Sequence, residues 1–386
     1  MHTDSDTSRK LFSEGKTQFY VPTNSLEQSP PPRTPAFFNT MAKLKRDLLI
    51  TIFDSYASQC DDKITFSDTL SGVGATGIRL ANESNYIKKI YFNDTNVNAI
   101  DYINNSLKHN NLNSLAEVST NEANKFLSNF TDRENRFDFI DLDPFGSPIQ
   151  YIDSAIRALK INGILSLTAT DGAVLCGVYP KVCLRKYGSL SLNTEYFNET
   201  ALRIMLFSLA SISSHYELGI KPIFCHTDKH YIQVYVQITD SISDTEGKLG
   251  FLRHCPECNH RAVSEFPILS CDLCSSNCKL AGPIWIGDIF DKSLLNISIN
   301  NSTDSNLTKL FEIAISESSM PPLYYVTDNI SQNLKISSFP VEAILSKLNE
   351  NDFISSRTVL HSTGFRTTAN VNEINKILSE SSTGNI

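Results

Sequence analysis

Apolar and polar residues alternate along the first two thirds of the chain with two different periods. Short apolar runs bounded by glycine or polar residues are typical of buried strands, and apolar residues three and four apart indicate amphipathic helices. The predicted strands are residues 64–67, 89–94, a segment around Val118, 137–142 and 164–168. The predicted helices are residues 36–57, 75–81, 96–109 and 149–159. This order predicts an α/β fold in which helices cover both faces of a parallel sheet.

The later part of the chain has a different pattern. Residues 231–238 alternate between apolar and polar side chains, which predicts an antiparallel strand at the far side of the sheet. The polar segment 239–248 indicates a domain boundary, and apolar positions in 371–378 predict a closing helix. We therefore expect an N-terminal arm at 1–35, an α/β domain at 36–245 and a smaller α+β domain at 246–386.

Composition excludes some classes of protein and leaves others open. Of the 386 residues, 41% are hydrophobic and 20% are charged, which is typical of a globular protein. No apolar run reaches roughly 18 residues, and the N-terminus lacks the order of a signal peptide. Nine cysteines, an odd number, then favour a reducing compartment over a disulfide framework, and we expect a cytoplasmic protein.

The net charge of −8 neither indicates nor excludes a nucleic-acid partner, because local patches matter more than the sum. Short basic groups occur at 43–46 and 181–186. Taken alone, each group is better explained as a solvated face.

Residues 141–148, with the sequence DLDPFGSP, contain the most informative turn, because Asp143, Pro144 and Phe145 follow a predicted strand directly. The lone pair of a base amino group is delocalised into its ring, so the amine is a poor nucleophile. A carboxylate can accept its N–H bond, an aromatic face can hold the base, and proline stiffens the turn that presents both. These residues therefore favour methylation of a base amine. An ordinary strand-to-helix turn, where Asp and Pro are common, is the alternative.

A glycine-rich loop follows the first predicted strand and opens a helix, which lets backbone approach a nucleotide-like ligand. Its glycines are Gly72, Gly74 and Gly77. Asp94 ends the next strand, where a carboxylate can bind both hydroxyls of a ribose. Glu122 ends the third strand, near where an adenine would lie. An NAD enzyme would use Asp94 equally well but would not need Asp143, so the combination favours S-adenosylmethionine. Asp94 alone is equally well explained as a helix cap.

Two arginines are harder to interpret. Arg46 and Arg79 could each bind a carboxylate, such as that of the methionine part of the cofactor, because a guanidinium binds carboxylates bidentately. Most arginines are simply exposed, and this is the simpler explanation of each.

Four cysteines form two C-x-x-C pairs separated by twelve residues: Cys255, Cys258, Cys271 and Cys274. This spacing predicts a structural, tetrahedral zinc site without an open position for catalysis. Cys278 is a possible substitute for Cys274, and His260 lies nearby. A thioredoxin-like redox role is the weaker alternative, because neither pair opens a helix after a strand.

From about Glu14 to Thr368 the chain resembles the archaeal and eukaryotic tRNA (guanine-26-N2) dimethyltransferases. The matching motifs are Glu14-Gly15, Phe19-Tyr20, 37–39, 45–47, 75–79, 92–94, 141–148, Thr170-Asp171 and 362–364. The resemblance implies a Rossmann-like methyltransferase domain, a family-specific C-terminal domain, S-adenosylmethionine as donor and the N2 amine of a tRNA guanosine as acceptor. In this chain Lys45 stands where the family often has asparagine, and Thr40 where it often has proline.

The resemblance also implies roles for individual residues. Asp143 would be the catalytic carboxylate, with Phe145 and Phe37 stacking on the base. The residues that would contact the cofactor are Arg46, Arg79, Asp94, Glu122 and Ala123, with Gly72 and Gly74 in the loop. We expect N2-methyl- and N2,N2-dimethylguanosine as products and a monomeric enzyme without a membrane partner.

Two other classes stay open from sequence. A DNA adenine methyltransferase more often has a second proline and an aromatic residue after the acidic one, which Phe145-Gly146 does not match. The second class is a non-catalytic, zinc-bearing RNA-binding protein with a decayed methyltransferase domain. Retention of Asp143 and of the cofactor positions argues against this class.

Overall fold

The computed structural model describes residues 9–228 and 231–383, which divide into two compact units. The first unit comprises Met1–Pro144, Gln150–Leu167 and Asn300–Ser302. The second comprises Phe145–Ile149, Thr168–Ile299 and Thr303–Ile386. No helix among the described residues is both long enough and apolar enough to cross a membrane. The domain limits expected from sequence stay predictions.

Fifteen strands are formed by the described residues. They are β1 (Arg9–Glu14), β2 (Thr17–Pro22), β3 (Ile64–Asp68), β4 (Ile87–Asn93), β5 (Ala116–Ser119), β6 (Phe137–Leu142), β7 (Leu159–Ala169), β8 (Gly219–Asp228), β9 (Tyr231–Thr239), β10 (Leu249–His254), β11 (Arg261–Ser264), β12 (Lys279–Trp285), β13 (Tyr325–Val326), β14 (Ser355–Arg357) and β15 (Gly364–Thr367).

Fourteen α-helices accompany the strands in the same part of the chain. They are α1 (Asn24–Glu27), α2 (Lys43–Ala57), α3 (Ala75–Glu83), α4 (Val97–His109), α5 (Ala123–Ser128), α6 (Ile149–Ala158), α7 (Gly172–Leu175), α8 (Pro180–Tyr187), α9 (Phe197–Ser214), α10 (Lys292–Asn301), α11 (Ser305–Glu317), α12 (Thr327–Leu334), α13 (Val341–Glu350) and α14 (Val371–Thr383).

The main sheet has seven strands in the order β5-β4-β3-β6-β7-β9-β8. Strands β3 to β7 are parallel, as the alternation of strands and helices predicts, and β8 and β9 pair antiparallel. Phe66 of β3 lies opposite Phe139 of β6 in register, and both are fully buried. Because parallel strands end at the same edge, β3, β4, β5 and β6 bring Asp68, Asp94, Glu122 and Asp143 to one edge of the sheet.

The segment predicted as an arm contains a β-hairpin of β1 and β2. Its β2 strand packs against α3 and α4, and Phe12, Phe19 and Phe38 meet edge-to-face with ring centroids 5.2–5.9 Å apart. This buried aromatic cluster explains why a short two-stranded hairpin is stable here, since an isolated hairpin is only marginally stable. Residues 1–8 of the predicted arm lie outside the described residues.

Two predicted elements differ in extent from the observed ones. The helix predicted from residue 36 begins at Lys43, because the Asn39 side chain accepts the Met41 N–H and forms a short 3₁₀ turn first. The strand predicted from residue 164 begins at Leu159 and includes Gly163. Asn162 has φ of +64°, and the register with β6 shifts between the Phe137–Leu159 and Phe139–Ile164 pairs, so the chain does turn just before Gly163. A Cβ at Gly163 would lie 2.9 Å from the carbonyl oxygens of both Asp138 and Lys160, so glycine is needed in this turn.

The second unit has two further three-stranded sheets, in the orders β11-β10-β12 and β13-β15-β14. The closing helix predicted at 371–378 is present and extends over Val371–Thr383. Its apolar face packs with α13 and β15 in a core that includes Ile344, Leu348, Phe365, Ile374 and Leu378. A cysteine-bearing α+β region therefore follows the main sheet, as expected from sequence.

Candidate active site

Asp143 lies immediately after β6, at the start of the turn singled out from sequence. Its Oδ2 accepts a hydrogen bond from Lys45 Nζ, which comes from the first turn of α2. The Lys45 side chain is 7% exposed, whereas that of Asp143 is 38% exposed. Oδ1 of Asp143 makes no hydrogen bond with any described residue. One carboxylate oxygen is thus held by a buried ammonium group, and the other has no bonding partner among the described residues.

Two further carboxylates lie beside this pair. Asp68 ends β3 and is opposite Asp141 of β6 in register, and both side chains are buried. Burial, and secondarily the neighbouring Asp141, raises the pKa of Asp68 to about 8, while its Oδ2 accepts the Gly77 N–H at 3.1 Å. Burial raises the pKa of Asp141 to about 6 against the opposing effect of Lys45. The pKa of Asp68 is therefore raised further than that of Asp141, so Asp68 is the more readily protonated of the two.

The charge of this group favours a cationic ligand. Four carboxyl groups lie at this edge of the sheet, those of Asp68, Asp94, Asp141 and Asp143, and Lys45 bonds Asp143. Carboxyl groups therefore predominate next to the glycine loop. A sulfonium ion is compensated by such a site, whereas an additional anion would be repelled.

The glycine loop has the close backbone geometry that its sequence predicts. Gly72 and Gly74 have φ of +54° and +76°, and a Cβ at Gly72 would lie 2.9 Å from the Phe37 carbonyl oxygen. The carboxylate of Asp94 accepts the Gly72 N–H at 2.8 Å and the Asn96 N–H at 2.9 Å. Both glycines need left-handed backbone, which other residues adopt at a cost.

Glu122 follows β5 and is the N-cap of α5, where its side chain accepts the Lys125 N–H at 3.0 Å. The adjoining Ala123 is buried. Glu122 thus makes a helix-cap contact, whereas Asp94 does not cap α4, whose N-cap is Asn96. Their cofactor contacts stay predictions.

Arg46 and Arg79 are buried and joined through Glu14. Arg46 donates to both oxygens of Glu14, at 2.7 and 2.6 Å, and Arg79 donates to Glu14 at 2.7 Å. Arg79 also pairs with Asp47 at 2.8 Å and Glu83 at 2.9 Å. The expectation that these side chains are simply exposed is therefore wrong, since both are almost completely buried.

This ion cluster connects β1, α2 and α3 in the first unit. Burial acts to raise the pKa of Glu14, but Arg46 and Arg79 outweigh it and hold the pKa below its usual range. In this structure the two guanidinium groups bind the protein's own carboxylates. Their binding of a cofactor carboxylate stays a prediction.

The two aromatic residues expected near the base have different environments. Phe145 is 51% exposed. The backbone of the next residue, Gly146, donates to Thr170 Oγ1 at 2.6 Å and accepts from Thr170 N at 2.9 Å. Phe37 is half-buried, and its carbonyl oxygen lies beside Gly72. The stacking of either ring on the base stays a prediction.

The four cysteines of the two C-x-x-C pairs come together in the second unit. The sulfur atoms of Cys255, Cys258, Cys271 and Cys274 all lie within 4.8 Å of one another. The Cys255–Cys274 and Cys258–Cys271 sulfur distances are both 3.5 Å. Tetrahedral Zn–S bonds of about 2.3 Å require sulfur separations of about 3.8 Å. The donor set therefore fits a structural zinc ion.

The geometry of the four-cysteine cluster answers two questions that the sequence leaves open: which cysteine is the fourth ligand, and whether the pairs form a redox motif. Cys274 belongs to the group of four, so Cys278 does not replace it. Turns rather than a helix follow the two pairs, which argues against a thioredoxin-like redox motif.

Three residues of the first unit's site were not assigned a role from sequence: Glu14, Lys45 and Asp68. Asp68 carries a local signal, since it is the last residue of a strand just before a glycine-rich loop. Lys45 carries none, because its partner lies 98 positions away in the chain. Glu14 is 32 and 65 positions from Arg46 and Arg79, so their contact depends on the folded hairpin.

Comparison with known proteins identifies relatives over almost the whole chain. The family model described as N2,N2-dimethylguanosine tRNA methyltransferase matches residues 15–379. A tRNA (guanine(26)-N(2))-dimethyltransferase of Methanothermobacter thermautotrophicus is 32% identical over 378 residues, covering 95% of this chain and 97% of that protein. The corresponding protein of Methanococcus maripaludis is 32% identical over 384 residues, covering 96% and 98%.

A solved structure has the same fold. The complex of Trm1 from Pyrococcus horikoshii with S-adenosyl-L-methionine superimposes with a TM-score of 0.82 at 27% identity, covering 95% of this chain and 99% of the other. The sequence motifs, the parallel sheet with its carboxylate edge and the matched length agree with one another. The chain therefore belongs to the N2,N2-dimethylguanosine tRNA methyltransferase family.

Proposed function

We propose that this protein transfers methyl groups from S-adenosylmethionine to the N2 amine of guanosine 26 in tRNA, giving N2-methyl- and then N2,N2-dimethylguanosine. The observation that carries the proposal is the Asp143 carboxylate, held by Lys45 after β6 and beside the glycine loop. The same activity is named for the relatives of M. thermautotrophicus and M. maripaludis.

The residues around the glycine loop fit the methyl donor in shape and charge. A side chain at Gly72 would meet the Phe37 carbonyl, so only a glycine leaves backbone open to a ligand there. Asp94 would bind the ribose hydroxyls, and Glu122 with Ala123 would lie against the adenine. Arg46 and Arg79 would contact the methionine part. When bound, the donor supplies an electrophilic methyl group on a positively charged sulfur.

Asp143 activates the acceptor by orienting it. Its Oδ1 is left to accept an N–H bond from the guanine N2 amine, because Lys45 holds Oδ2. This bond turns the nitrogen lone pair toward the reacting carbon, and such positioning supplies much of an enzyme's acceleration. The guanine must leave its stack to reach Asp143, and exposed Phe145 and half-buried Phe37 provide faces for the extruded base. After transfer, the methylated nitrogen releases a proton to Asp143 or to water.

Zinc has a structural role in this proposal. The four cysteine thiolates would complete a tetrahedral shell around the ion and would leave no position for a substrate or a reactive water. We further propose that the enzyme acts as a monomer in the cytoplasm. The mass measured by light scattering during gel filtration tests the monomeric state, and cell fractionation tests the location.

The experiment compares Asp143→Asn with Asp240→Asn, an exposed aspartate after β9. Labelled methyl incorporation is measured on a tRNA transcript with guanosine at position 26, on the same transcript with adenosine there, and on duplex DNA. Wild type and the Asp240 variant should label only the first transcript, and the Asp143 variant should be slower by about 10²-fold or more.

Nucleoside analysis of the labelled tRNA reports one or two methyl groups on N2. An Asp143 variant that binds donor and retains the wild-type rate would remove the carboxylate from the mechanism. Labelling of DNA would favour the adenine methyltransferase class, and absence of donor binding in wild type would favour the non-catalytic RNA-binding class.

A further inference from the structure

An exposed surface on α8 and the turn before it combines apolar, aromatic and basic side chains. We name it the α8 surface and define it by Val178, Tyr179, Lys181, Leu184 and Arg185. Val178 and Tyr179 are each 56% exposed and Leu184 is 47% exposed. Large apolar side chains grouped in this way next to cations differ from the scattered exposed residues of an ordinary surface.

The helix displays these residues because its other face is anchored. Cys183 and Tyr187, four positions apart, are buried against the rest of the second unit. Lys181, Leu184 and Arg185 therefore face outward, since residues three and four apart share a side of a helix. The side chains of Lys181 and Arg185 form no ion pair or hydrogen bond with any other described residue, so their charges are available to a partner.

The local charge is opposite to that of the whole chain. Residues 172–194 contain three basic residues, Lys181, Arg185 and Lys186, and no acidic one, whereas the chain carries −8 overall. Only Lys186 is paired, with Asp171 at 3.2 Å. A cationic surface on an acidic protein attracts a polyanion locally while the remaining surface repels it.

Hydrogen bonds connect the α8 surface to the turn that carries Phe145. Tyr187, at the end of α8, donates to Asp171 at 2.6 Å. The preceding residue, Thr170, exchanges two hydrogen bonds with Gly146, at 2.6 and 2.9 Å. Because Gly146 follows Phe145 directly, the base-stacking residue and α8 are held by one short hydrogen-bonded path within the second unit.

We propose that the α8 surface is a docking site for tRNA, in which Lys181 and Arg185 contact phosphates and Tyr179 stacks on an unpaired base. This inference rests on the proposed function, which supplies the polyanionic substrate. Basic side chains interleaved with an exposed aromatic ring suit single-stranded or loop RNA, because the ring takes a base face and the cations take the backbone. The surface would position the strand on which the extruded guanosine lies.

The test measures tRNA affinity by fluorescence anisotropy over a range of KCl concentrations. The variant Lys181→Ala/Arg185→Ala is compared with Lys309→Ala/Lys376→Ala, which removes two exposed lysines from α11 and α14. Loss of two phosphate contacts should lower the slope of log K against log[salt] by about 1 to 2 and weaken binding at least about tenfold near 0.1 M salt. The control pair should leave both values at wild type.

A second pair of variants tests the ring. Tyr179→Ala should weaken tRNA binding about 5- to 100-fold, which corresponds to one lost stacking contact, and Tyr179→Phe should retain it. The KM for tRNA should rise in parallel with the dissociation constant, and the affinity for S-adenosylmethionine should not change. Thermal melts of all variants identify any that fail to fold.

The outcomes separate this inference from the proposed function. An enzyme that methylates guanosine 26, but whose Lys181/Arg185 variant binds tRNA with unchanged affinity and salt slope, overturns the docking site alone. An enzyme that loses tRNA affinity in that variant but never methylates guanosine 26 overturns the proposed function alone. A wild-type dimer that dissociates in the variant identifies a second copy as the occupant and also overturns the proposal.

Discussion

Replacing Lys45 by methionine removes the cation that, among the described residues, contacts the candidate catalytic carboxylate. Lys45 Nζ bonds Asp143, and its charge also lowers the pKa of buried Asp141 against the effect of burial. Methionine keeps most of the side-chain volume in a site where lysine is 7% exposed. The substitution therefore changes charge and hydrogen bonding with little change in packing.

The size of the effect follows from these contacts. A neighbouring opposite charge shifts a carboxyl pKa by about 1 to 3 units. The pKa of Asp141, already about 6, should rise toward 7 or above when Lys45 is lost. Because protonation removes the negative charge that favours a cationic ligand, the acid limb of kcat/KM should move to higher pH by about one unit or more. Single turnovers from pH 5 to 9 measure this limb.

Lys45→Arg is the matched control, because arginine keeps the positive charge but changes the geometry at Asp143. Its acid limb should stay near that of wild type even where its maximal rate is lower. Donor affinity, measured by calorimetry at each pH, separates weaker binding from slower chemistry. Coincident pH profiles for wild type and Lys45→Met would refute the electrostatic role of Lys45.

Two other predictions concern the second unit. Cys271→Ser should reduce the bound zinc, measured by metal analysis, below one equivalent and should also lower the melting temperature. Cys278→Ser should retain the metal. Equal zinc loss in both variants would contradict the assigned ligands. Burial acts to raise the pKa of Glu199, but Arg366 and Arg203 outweigh it and lower the pKa to about 2. Glu199→Gln should therefore reduce the free energy of unfolding by about 3–5 kcal/mol at pH 7, because it removes the ion pair of buried Arg203 and leaves buried Arg366 with Glu317 alone. The stabilisation from ionised Glu199 is present above its unfolded pKa near 4.5 and is lost as pH falls toward 2. The difference in unfolding free energy between wild type and the variant, measured by urea titration, should therefore shrink below pH 4. A difference that is independent of pH would contradict this prediction.

Local signals in the chain predicted much of the site. Strand β6 has the predicted limits, Phe137–Leu142, because its apolar run ends sharply at the aspartates and proline. Asp94 and Glu122 follow their strands as expected, and parallel pairing brings them to the same edge. The four cysteines were equally predictable, since their short spacing restricts how they can come together.

Other local signals were ambiguous and gave incorrect limits. Residues 36–39 have no helical structure although they continue an apolar pattern, because burial of Phe38 and the Asn39 cap compete with helix formation. The strand expected from residue 164 begins at Leu159, because pairing with Phe137 of β6 also includes the residues before the turn at Asn162. In both cases contacts with distant residues outweighed the local preference.

The order of the strands and helices in the parallel part of the main sheet, the glycine loop, the Asp143 turn and the cysteine ligands can be predicted from the sequence alone, because each is a short-range pattern. Which side chains share a charge environment depends instead on the tertiary structure. It paired Lys45 with Asp143, set Asp68 opposite Asp141, and joined Arg46 to Arg79 through Glu14. These contacts depend on strand register, helix packing and burial, and those long-range relations have no periodic signature along the chain.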